Sequence, residues 1–349
     1  MANYRYRQIA DDIRSKINTG FYRKEEQLPT EEALSQMYHC SRQTVRQALQ
    51  VLLEEKRIEK IQGSGTYVKK PAHIPSQSIA IITTYISEYI FPSILHGIED
   101  TVSEEGYSLV IKTTNNSVAR ERKILLELKE KNVDGIIVEG TKTAFPNPNV
   151  SFYEDLASSG IPIVFFNGYY AGIESEHIRH VVVDDYEGGI LASKTLSEEG
   201  HVKIGGIFKA DDMQGLLRYS GFMDGTIRYG GELEDSRISW FTTETRKTFL
   251  RDLSLETKNA MKDITALVVY NDIAANVLLK ENVRKYFPHL TRIFSFDGKY
   301  YLEEPEGITI TSLNHPKGKI GTEAGKMILR MIHGENVDSV VMPWVTQKK

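Results

Sequence analysis

Cysteine is all but missing from this 349-residue chain: Cys40 is the only one, so no disulfide can form within it. A lone thiol fits a reducing compartment, and the expected location is the cytoplasm. Long apolar runs are missing as well. No stretch approaches the roughly eighteen apolar residues that a membrane-spanning helix requires, so no membrane partner is expected. The opening Met1-Ala2-Asn3-Tyr4-Arg5-Tyr6-Arg7 is polar and has no apolar centre of a secretion signal. What remains is 40% hydrophobic and 26% charged, the balance of a soluble globular chain. Its length is too great for one ordinary core and suits two or three domains.

The net charge of −4 is unevenly spread. Residues 1–70 hold 13 Lys and Arg against 9 Asp and Glu, a net of +4, and the other 279 residues hold 30 against 38, a net of −8. A basic head on an acidic body lets only the head approach a polyanion.

Three helical patterns open the chain. Ile9, Ile13 and Ile17 recur every four residues between Arg5 and Thr19, and Thr19-Gly20 ends that helix. Leu28-Pro29-Thr30-Glu31-Glu32 starts a second, with Thr30 as N-cap and Ala33, Leu34 and Met37 expected inward. After a turn at Tyr38-His39-Cys40, Ser41 caps a third helix to about Glu54, with Val45, Ala48, Leu49 and Leu52 inward. The period then falls to two. Ile58 to Gln62 and Thr66 to Val68 are strands joined across Gly63-Ser64-Gly65. Helix, helix-turn-helix and hairpin make a winged helix-turn-helix over residues 1–70, and residues 71–78, with their two prolines, read as a linker.

Residues 79–349 alternate apolar strands with amphipathic helices. Ile79 to Thr83, Ser108 to Lys112, Gly135 to Val138, Ile163 to Phe166, Val181 to Val183, Lys203 to Phe208, Ala266 to Tyr270 and Arg292 to Phe296 are the strands; Phe91 to Gly106 and Arg120 to Asn132 are two of the helices. Continuously apolar strands between helices mean parallel sheets covered on both faces, an α/β fold. A sheet of this many strands divides into two lobes, with a cleft at the carboxyl ends of the strands.

In the head, Arg42 and Arg46 lie one turn apart at the start of the third helix, where guanidinium forks reach guanine edges in a major groove. Gln43 and Thr44 add amide and methyl contacts, and the helix start at Ser41 favours a phosphate. The wing tip Gly63-Ser64-Gly65, flanked by Gln62 and Thr66, is thin enough for a minor groove. The partner these residues imply is double-stranded operator DNA. The segment from Tyr6 to Val68, with Leu28-Pro29-Thr30-Glu31, Ser41-Arg42-Gln43-Thr44-Val45-Arg46 and Gly63-Ser64-Gly65-Thr66-Tyr67-Val68, resembles the DNA-binding domain of the GntR repressors. That resemblance implies that Arg42 and Arg46 read the major groove, that Gln62 to Thr66 enter the minor groove, and that Glu31 orients the arginines. Glu31 also suits the first turn of a helix through the helix dipole.

The body resembles the LacI/GalR sensor domain, itself similar to type I periplasmic sugar-binding proteins. The matching stretches are Val181-Val182-Val183-Asp184-Asp185 with Gly188-Gly189, Gly200 to Gly205, Arg218-Tyr219-Ser220-Gly221-Phe222, Asn271-Asp272, Phe296-Asp297-Gly298 and Thr311 to Gly325. By resemblance Arg218, Asn271 or Asp272, and Asp297 bind ligand in the second lobe, and His315 stands where many relatives carry glutamine. In the first lobe the strand-end residues Tyr85, Glu88, Tyr89, Phe91, Asn115, Glu139 and Asn167 are expected to face the cleft. Carboxylates, amides and guanidinium grip sugar hydroxyls, and aromatic rings cover the C–H faces.

A GntR-type head on a LacI/GalR-type sensor resembles the arabinose-operon repressors of Gram-positive bacteria. It implies a homodimeric repressor of sugar catabolism genes, released by a small sugar, L-arabinose first and another sugar as the alternative. The head is too small for a large interface beside its DNA surface, so the dimer is expected through the sensor. A sugar-modifying enzyme is the remote rival. Gly63-Ser64-Gly65 lacks the spacing of a nucleophile elbow, His177 and His180 lack a third zinc ligand, and no phosphate-binding loop with its lysine occurs. No cofactor or metal is expected.

Overall fold

A computed structural model describes residues 2–18, 21–23, 25–69, 76–87, 90–173, 175–298 and 302–345. The chain divides into two compact units, Met1–Ile74 and Pro75–Lys349.

The first unit holds helices α1 (Ala2–Asn18), α2 (Glu31–Met37) and α3 (Arg42–Glu54), then strands β1 (Ile58–Ile61) and β2 (Gly65–Val68). Thr30 caps α2 by accepting from the Ala33 N–H, and Ser41 caps α3 by accepting from the Thr44 N–H, each at 3.2 Å. Each cap is worth about 1 kcal/mol. Val45, Ala48, Leu49 and Leu52 are buried at helical spacing against Ile9, Ile13 and Leu34. Leu52→Ala would cost about 2–5 kcal/mol. Met37, expected inward, is 52% exposed: α2 ends there, and Leu34 alone of its three expected residues is buried. β1 and β2 pair antiparallel, with Ile61 opposite Gly65.

Residues 71–75 of the expected linker lie outside the described residues. Ser76 and Gln77 already belong to the second unit, since both donate their backbone N–H to Asp134, at 2.8 and 2.9 Å.

The second unit is a two-lobed α/β domain with parallel sheets. The first lobe is built on β3 (Ser78–Thr83), β4 (Ser108–Thr113), β5 (Gly135–Val138), β6 (Ile163–Phe166), β7 (Ile178–Val183) and, from the far end of the chain, β13 (Val340–Met342). Its sheet order is β13-β7-β6-β5-β3-β4, every pair parallel. Around it lie α4 (Phe91–Ser103), α5 (Val118–Glu130), α6 (Val150–Ser158) and α12 (Lys317–Ile332). The second lobe carries β8 (Ile204–Lys209), β9 (Ile238–Phe241), β10 (Ala266–Val269), β11 (Arg292–Phe296) and β12 (Thr309–Leu313), in parallel order β12-β11-β10-β8-β9. Its helices include α7 (Asp185–Glu198), α8 (Met213–Arg228), α9 (Leu255–Ala260), α10 (Asp272–Lys280) and α11 (Val283–Tyr286).

Among the described residues the chain crosses between lobes after β7 at Asp184 and after β12 at Asn314 to Pro316, and the segment after β13 returns beside these crossings, where Trp344 packs against Phe296. Asn314 bridges Val345, and the Asp184 N–H donates to the Met342 carbonyl, so the crossings are tied together. They lie at the β13/β7 end of one sheet and the β12 end of the other. In each sheet the strand order reverses, at β3/β5 and at β8/β10, and in open α/β sheets such reversals open a crevice at the strands' carboxyl ends.

Candidate functional sites

On the first unit, two arginines project from the start of α3 and each is held by a carboxylate of α2. Arg46 Nε donates to Glu31 Oε2 at 2.7 Å, and Arg42 pairs with Glu32 Oε1 at 2.5 Å. Glu31 therefore orients one arginine and not both; its neighbour Glu32, which sequence reasoning missed, holds the other. The adjacent pair Glu31-Glu32 facing Arg42 and Arg46 was the available signal. Lys60 of β1 lies 3.7 Å from Glu31 Oε1, tying the wing strand to the same carboxylate. Ser41, Arg42, Gln43 and Arg46 are exposed; the Thr44 hydroxyl is engaged with that of Ser41 at 2.9 Å.

At the wing, Gln62, Gly63 and Ser64 are exposed, while Gly65 and Thr66 are half-buried. Gln27 Nε2 donates to the Ser64 carbonyl at 2.7 Å, and the Ser64 and Tyr67 hydroxyls lie 2.6 Å apart. Gly65 has a left-handed φ of 142°, and a Cβ there would collide with the Gln27 side chain, so this position requires glycine.

In the second unit, a cavity lined by residues of both lobes opens between them, where both sheets reverse. Thr84 and Tyr85 follow β3, Asn116 follows β4, Glu139 follows β5 and Asn167 follows β6; Ile90 and Phe91 open α4. Facing them are Lys209 at the end of β8 and Asp212 after it, Gln214 and Arg218 on α8, Phe241 at the end of β9, Tyr270 and Asn271 after β10 and Asp297 after β11, with Arg246, Ile273 and Ala274. Asn116, Asn167 and Asp297 hold left-handed φ values of 54°, 63° and 93°. Asn and Asp tolerate that region better than other side chains, and such strain gathers at binding sites.

Of the expected ligand residues, Tyr85, Phe91, Glu139, Asn167, Arg218, Asn271 and Asp297 line this cavity. Glu88 and Tyr89 lie outside the described residues. Asn115 does not line it: its side chain is exposed, and the next residue, Asn116, turns inward. Asp272 does not line it either. It is buried one layer back, accepting from the Ser295 and Ser312 hydroxyls at 2.6 and 2.7 Å, and Ser312 in turn accepts from the Gly298 N–H. It therefore braces the turn that presents Asp297. His315 is buried behind Asn167 and does not line the cavity. Lys209, Asp212 and Gln214 were missed, although the strand-end rule that found Glu139 points equally to Lys209-Ala210-Asp211-Asp212.

The cavity's charges are paired. Arg218 Nε donates to Asp185 Oδ1 at 2.8 Å, another of its nitrogens donates to the Tyr270 carbonyl at 2.5 Å, and a third stands 3.7 Å from Asp297. Burial pushes the Asp185 carboxyl up to about 6, the Arg218 charge limiting the rise, so the pair is ionised at neutral pH. Gly189 and Gly221 set this contact. A side chain on either would strike the backbone of the facing helix, so α7 and α8 approach closely enough for Asp185 to meet Arg218. Lys209 is paired with Asp212 and lies 3.5 Å from Asp211; burial opposes its charge, but the two carboxylates outweigh burial and raise its pKa. Glu139 accepts from the Thr84 N–H at 3.0 Å, from the Thr84 hydroxyl and from Asn167 Nδ2 at 2.8 Å. Burial nevertheless pushes it up to about 7.

Away from the crossings, the lobes touch directly. Lys142 reaches Glu244 at 2.5 Å and Asp211 at 3.8 Å, Asn116 Nδ2 donates to Thr243 Oγ1 at 2.6 Å, and the Met213 N–H donates to Thr143 Oγ1 at 2.9 Å. The Arg246 guanidinium stands 5.0 Å from the centre of the Tyr85 ring. The loop bearing Lys142 and Thr143 is anchored by buried Glu121, which accepts from Asn147, Asn149, Tyr153 and Tyr170. The cleft described is closed.

Residues 5–68 match the gntR family of bacterial regulatory proteins, and residues 194–346 match the periplasmic binding protein-like domain. The arabinose metabolism transcriptional repressor of Geobacillus stearothermophilus is 36% identical over 344 residues, covering 96% of this chain and 93% of that protein. The chain belongs to this repressor family. The repressor of the same description from Halalkalibacterium halodurans is 35% identical over 345 residues, covering 96% of this chain and 91% of its own. A solved complex of the transcriptional regulator CelR with cellobiose has the same fold, with a TM-score of 0.65 at 19% identity over 91% of this chain and 99% of that one. The protein is thus a DNA-binding transcriptional repressor of sugar metabolism with a sugar-binding domain, and its relatives are non-enzymatic regulators. No helix among the described residues is long and apolar enough to cross a membrane.

Proposed function

We propose that this repressor acts in the cytoplasm as a homodimer, bound to operator DNA without sugar and released when L-arabinose closes the sensor cleft. Arg42 and Arg46 read guanines in the major groove of each half-site, with Gln43 and Thr44 beside them. The wing from Gln62 to Thr66 tracks the minor groove. Both arginines rest on α2 carboxylates in the free protein and exchange them for base edges on binding. That exchange favours sites where a guanine acceptor replaces what the carboxylate supplied.

The observation that carries the effector class is the balance of charge in the cleft. Glu139, Asp212 and Asp297 face Lys209, Arg218 and Arg246, with Asp185 behind Arg218. Such a lining has no surplus cation for a phosphate or a carboxylate ligand. It suits a neutral polyol, gripped by Glu139, Asn167, Lys209, Asp212, Arg218 and Asp297 and flanked by the rings of Tyr85, Phe91 and Tyr270. Among neutral sugars the relatives' role in arabinose metabolism favours L-arabinose.

A ligand shifts an equilibrium only through unequal affinity for its two states. Glu139 and Asn167 on one lobe and Arg218 and Asp297 on the other meet one sugar only when the lobes close, which supplies that inequality. Coupling of about 1–3 kcal/mol is typical of such proteins. Calorimetric titration with L-arabinose, other pentoses, hexoses and sugar phosphates tests the reading. Binding of L-arabinose with none by the phosphates supports it, and preferential binding of a phosphorylated or acidic sugar overturns it.

A further inference from the structure

We infer that His315 is a positioning residue, not a sugar contact: through the Asn167 amide it ties the hinge to the cleft and holds the closed arrangement. The inference rests on the proposed sugar cleft.

Asn167 is where the parts meet. Its Nδ2 donates to Glu139 Oε1 at 2.8 Å, which fixes the amide's direction and leaves Oδ1 pointing the other way. Two donors converge on that oxygen: Gln214 Nε2 of the second lobe at 3.3 Å and His315 Nε2, on the second crossing, at 3.2 Å. An amide oxygen has two lone pairs, so both can be accepted together. Asn167 belongs to the first lobe, so the Gln214 bond exists only while the lobes are closed.

The tautomer follows from this geometry. Because Asn167 Oδ1 can only accept, His315 carries its proton on Nε2. Its Nδ1 is buried and has no hydrogen-bond partner among the described residues. Burial lowers the ring to about 4, so it is neutral near pH 7 and has one proton to give. The ring also stands edge-on to Trp344, centroids 5.6 Å apart, and Trp344 Nε1 donates to the Asp184 carbonyl at 2.9 Å. Asp184 and His315 come from the two crossings, and Trp344 from the segment that follows β13. His315 is thus the link between that hinge cluster and an amide that lines the cavity.

A glutamine can supply the same donor, and a leucine of similar bulk cannot. The test uses His315→Gln and His315→Leu in the full-length protein, with calorimetry of L-arabinose binding. In parallel, spin labels at Ala119→Cys and Lys247→Cys, in a Cys40→Ser background, report the spacing of the lobes with and without L-arabinose. The inference expects about tenfold weaker binding and a wider label spacing for His315→Leu, with His315→Gln restoring both to within about twofold. Equal affinity and spacing in His315→Leu overturns it, and so does an equal loss in both variants. In a wild type that binds sugar, a label spacing that never reaches the closed value also overturns it. Absence of L-arabinose binding to the wild type overturns the sugar reading alone; the sugar that does bind then takes its place in both measurements, and the comparison of the two variants decides the role of His315.

Discussion

The guanidinium carbon of Arg218 lies 5.0 Å from the centre of the Trp344 ring, so a residue that lines the cavity between the lobes rests on the strap that follows β13. The same carbon lies 4.6 Å from the Phe296 ring and 4.9 Å from the Tyr270 ring. A cation among three aromatic faces, with Asp185 and Asp297 as counter-charges, is a stable way to bury a guanidinium. It also means that a ligand touching Arg218 acts on the hinge.

Arg218→Met should cost about 3–5 kcal/mol of stability at neutral pH, because Asp185 is left buried without its partner. The loss should shrink as the solution is acidified, since a carboxyl already pushed up to about 6 takes up a proton readily. Denaturant titrations at two pH values check this; a loss independent of pH would show that packing, not charge, sets the cost.

Glu139 and His315 give opposite pH dependences. Glu139 is raised from 4.5 to about 7, so the folded protein holds that proton more tightly than the unfolded chain. Its contribution is complete below 4.5 and is lost as pH rises through about 7, a span of about 3 kcal/mol. His315 is lowered from 6.5 to about 4, so its contribution is complete above 6.5 and is lost as pH falls toward 4. Glu139→Gln should therefore flatten the alkaline side of the stability profile and His315→Gln the acid side. An unchanged profile in either variant would show that the group does not titrate as its surroundings require.

Sugar hydroxyls that donate to Glu139 prefer the carboxylate, so L-arabinose affinity should rise with pH through about 7 and release a proton. Calorimetry in buffers of different ionisation heat measures the release. Wild-type protein that binds with no proton release near that pH would remove Glu139 from the ligand's contacts.

At the cleft's lip, the Lys142 hydrogen bond is the main reason that Glu244 is lowered to about 2. Lys142→Met should weaken sugar binding by up to about fivefold, the range of an exposed ion pair, and the difference should fade in high salt. The same factor at low and high salt would point to lost packing instead.

On the head, Arg42→Ala or Arg46→Ala should each cost roughly 1–3 kcal/mol per half-site, doubled in a symmetric dimer, with relaxed preference at one base pair. Gel-shift titrations against the operator and single-base variants measure both effects. Unchanged affinity in both variants would sink the assignment.

Much of this was legible in the sequence because local rules and tertiary packing agree. The caps at Thr30 and Ser41, the apolar stripe of α3 and the turn at Gly63 to Gly65 need only neighbouring residues to be read. The cleft residues at strand ends in the first lobe follow from the parallel pattern. What escaped depends on directions that sequence spacing does not encode. Asn115 and Asn116 both adopt left-handed backbone, and only the fold decides which side chain turns inward. Asp272 and His315 sit one layer behind the cavity, where a buried polar group looks in sequence like one that meets a ligand. The short strands β9, β12 and β13 escaped because they lie at or near sheet edges, where half-exposed residues blur the apolar run.

The central claim is that sugar closure releases the repressor, and titrating labelled operator with the full-length protein, with and without saturating L-arabinose, tests it most directly. The account predicts roughly 5–150-fold weaker operator binding with the sugar, matched by an equal weakening of sugar binding when operator is bound. Equal operator affinity in the two titrations, or tighter binding with sugar, would contradict it.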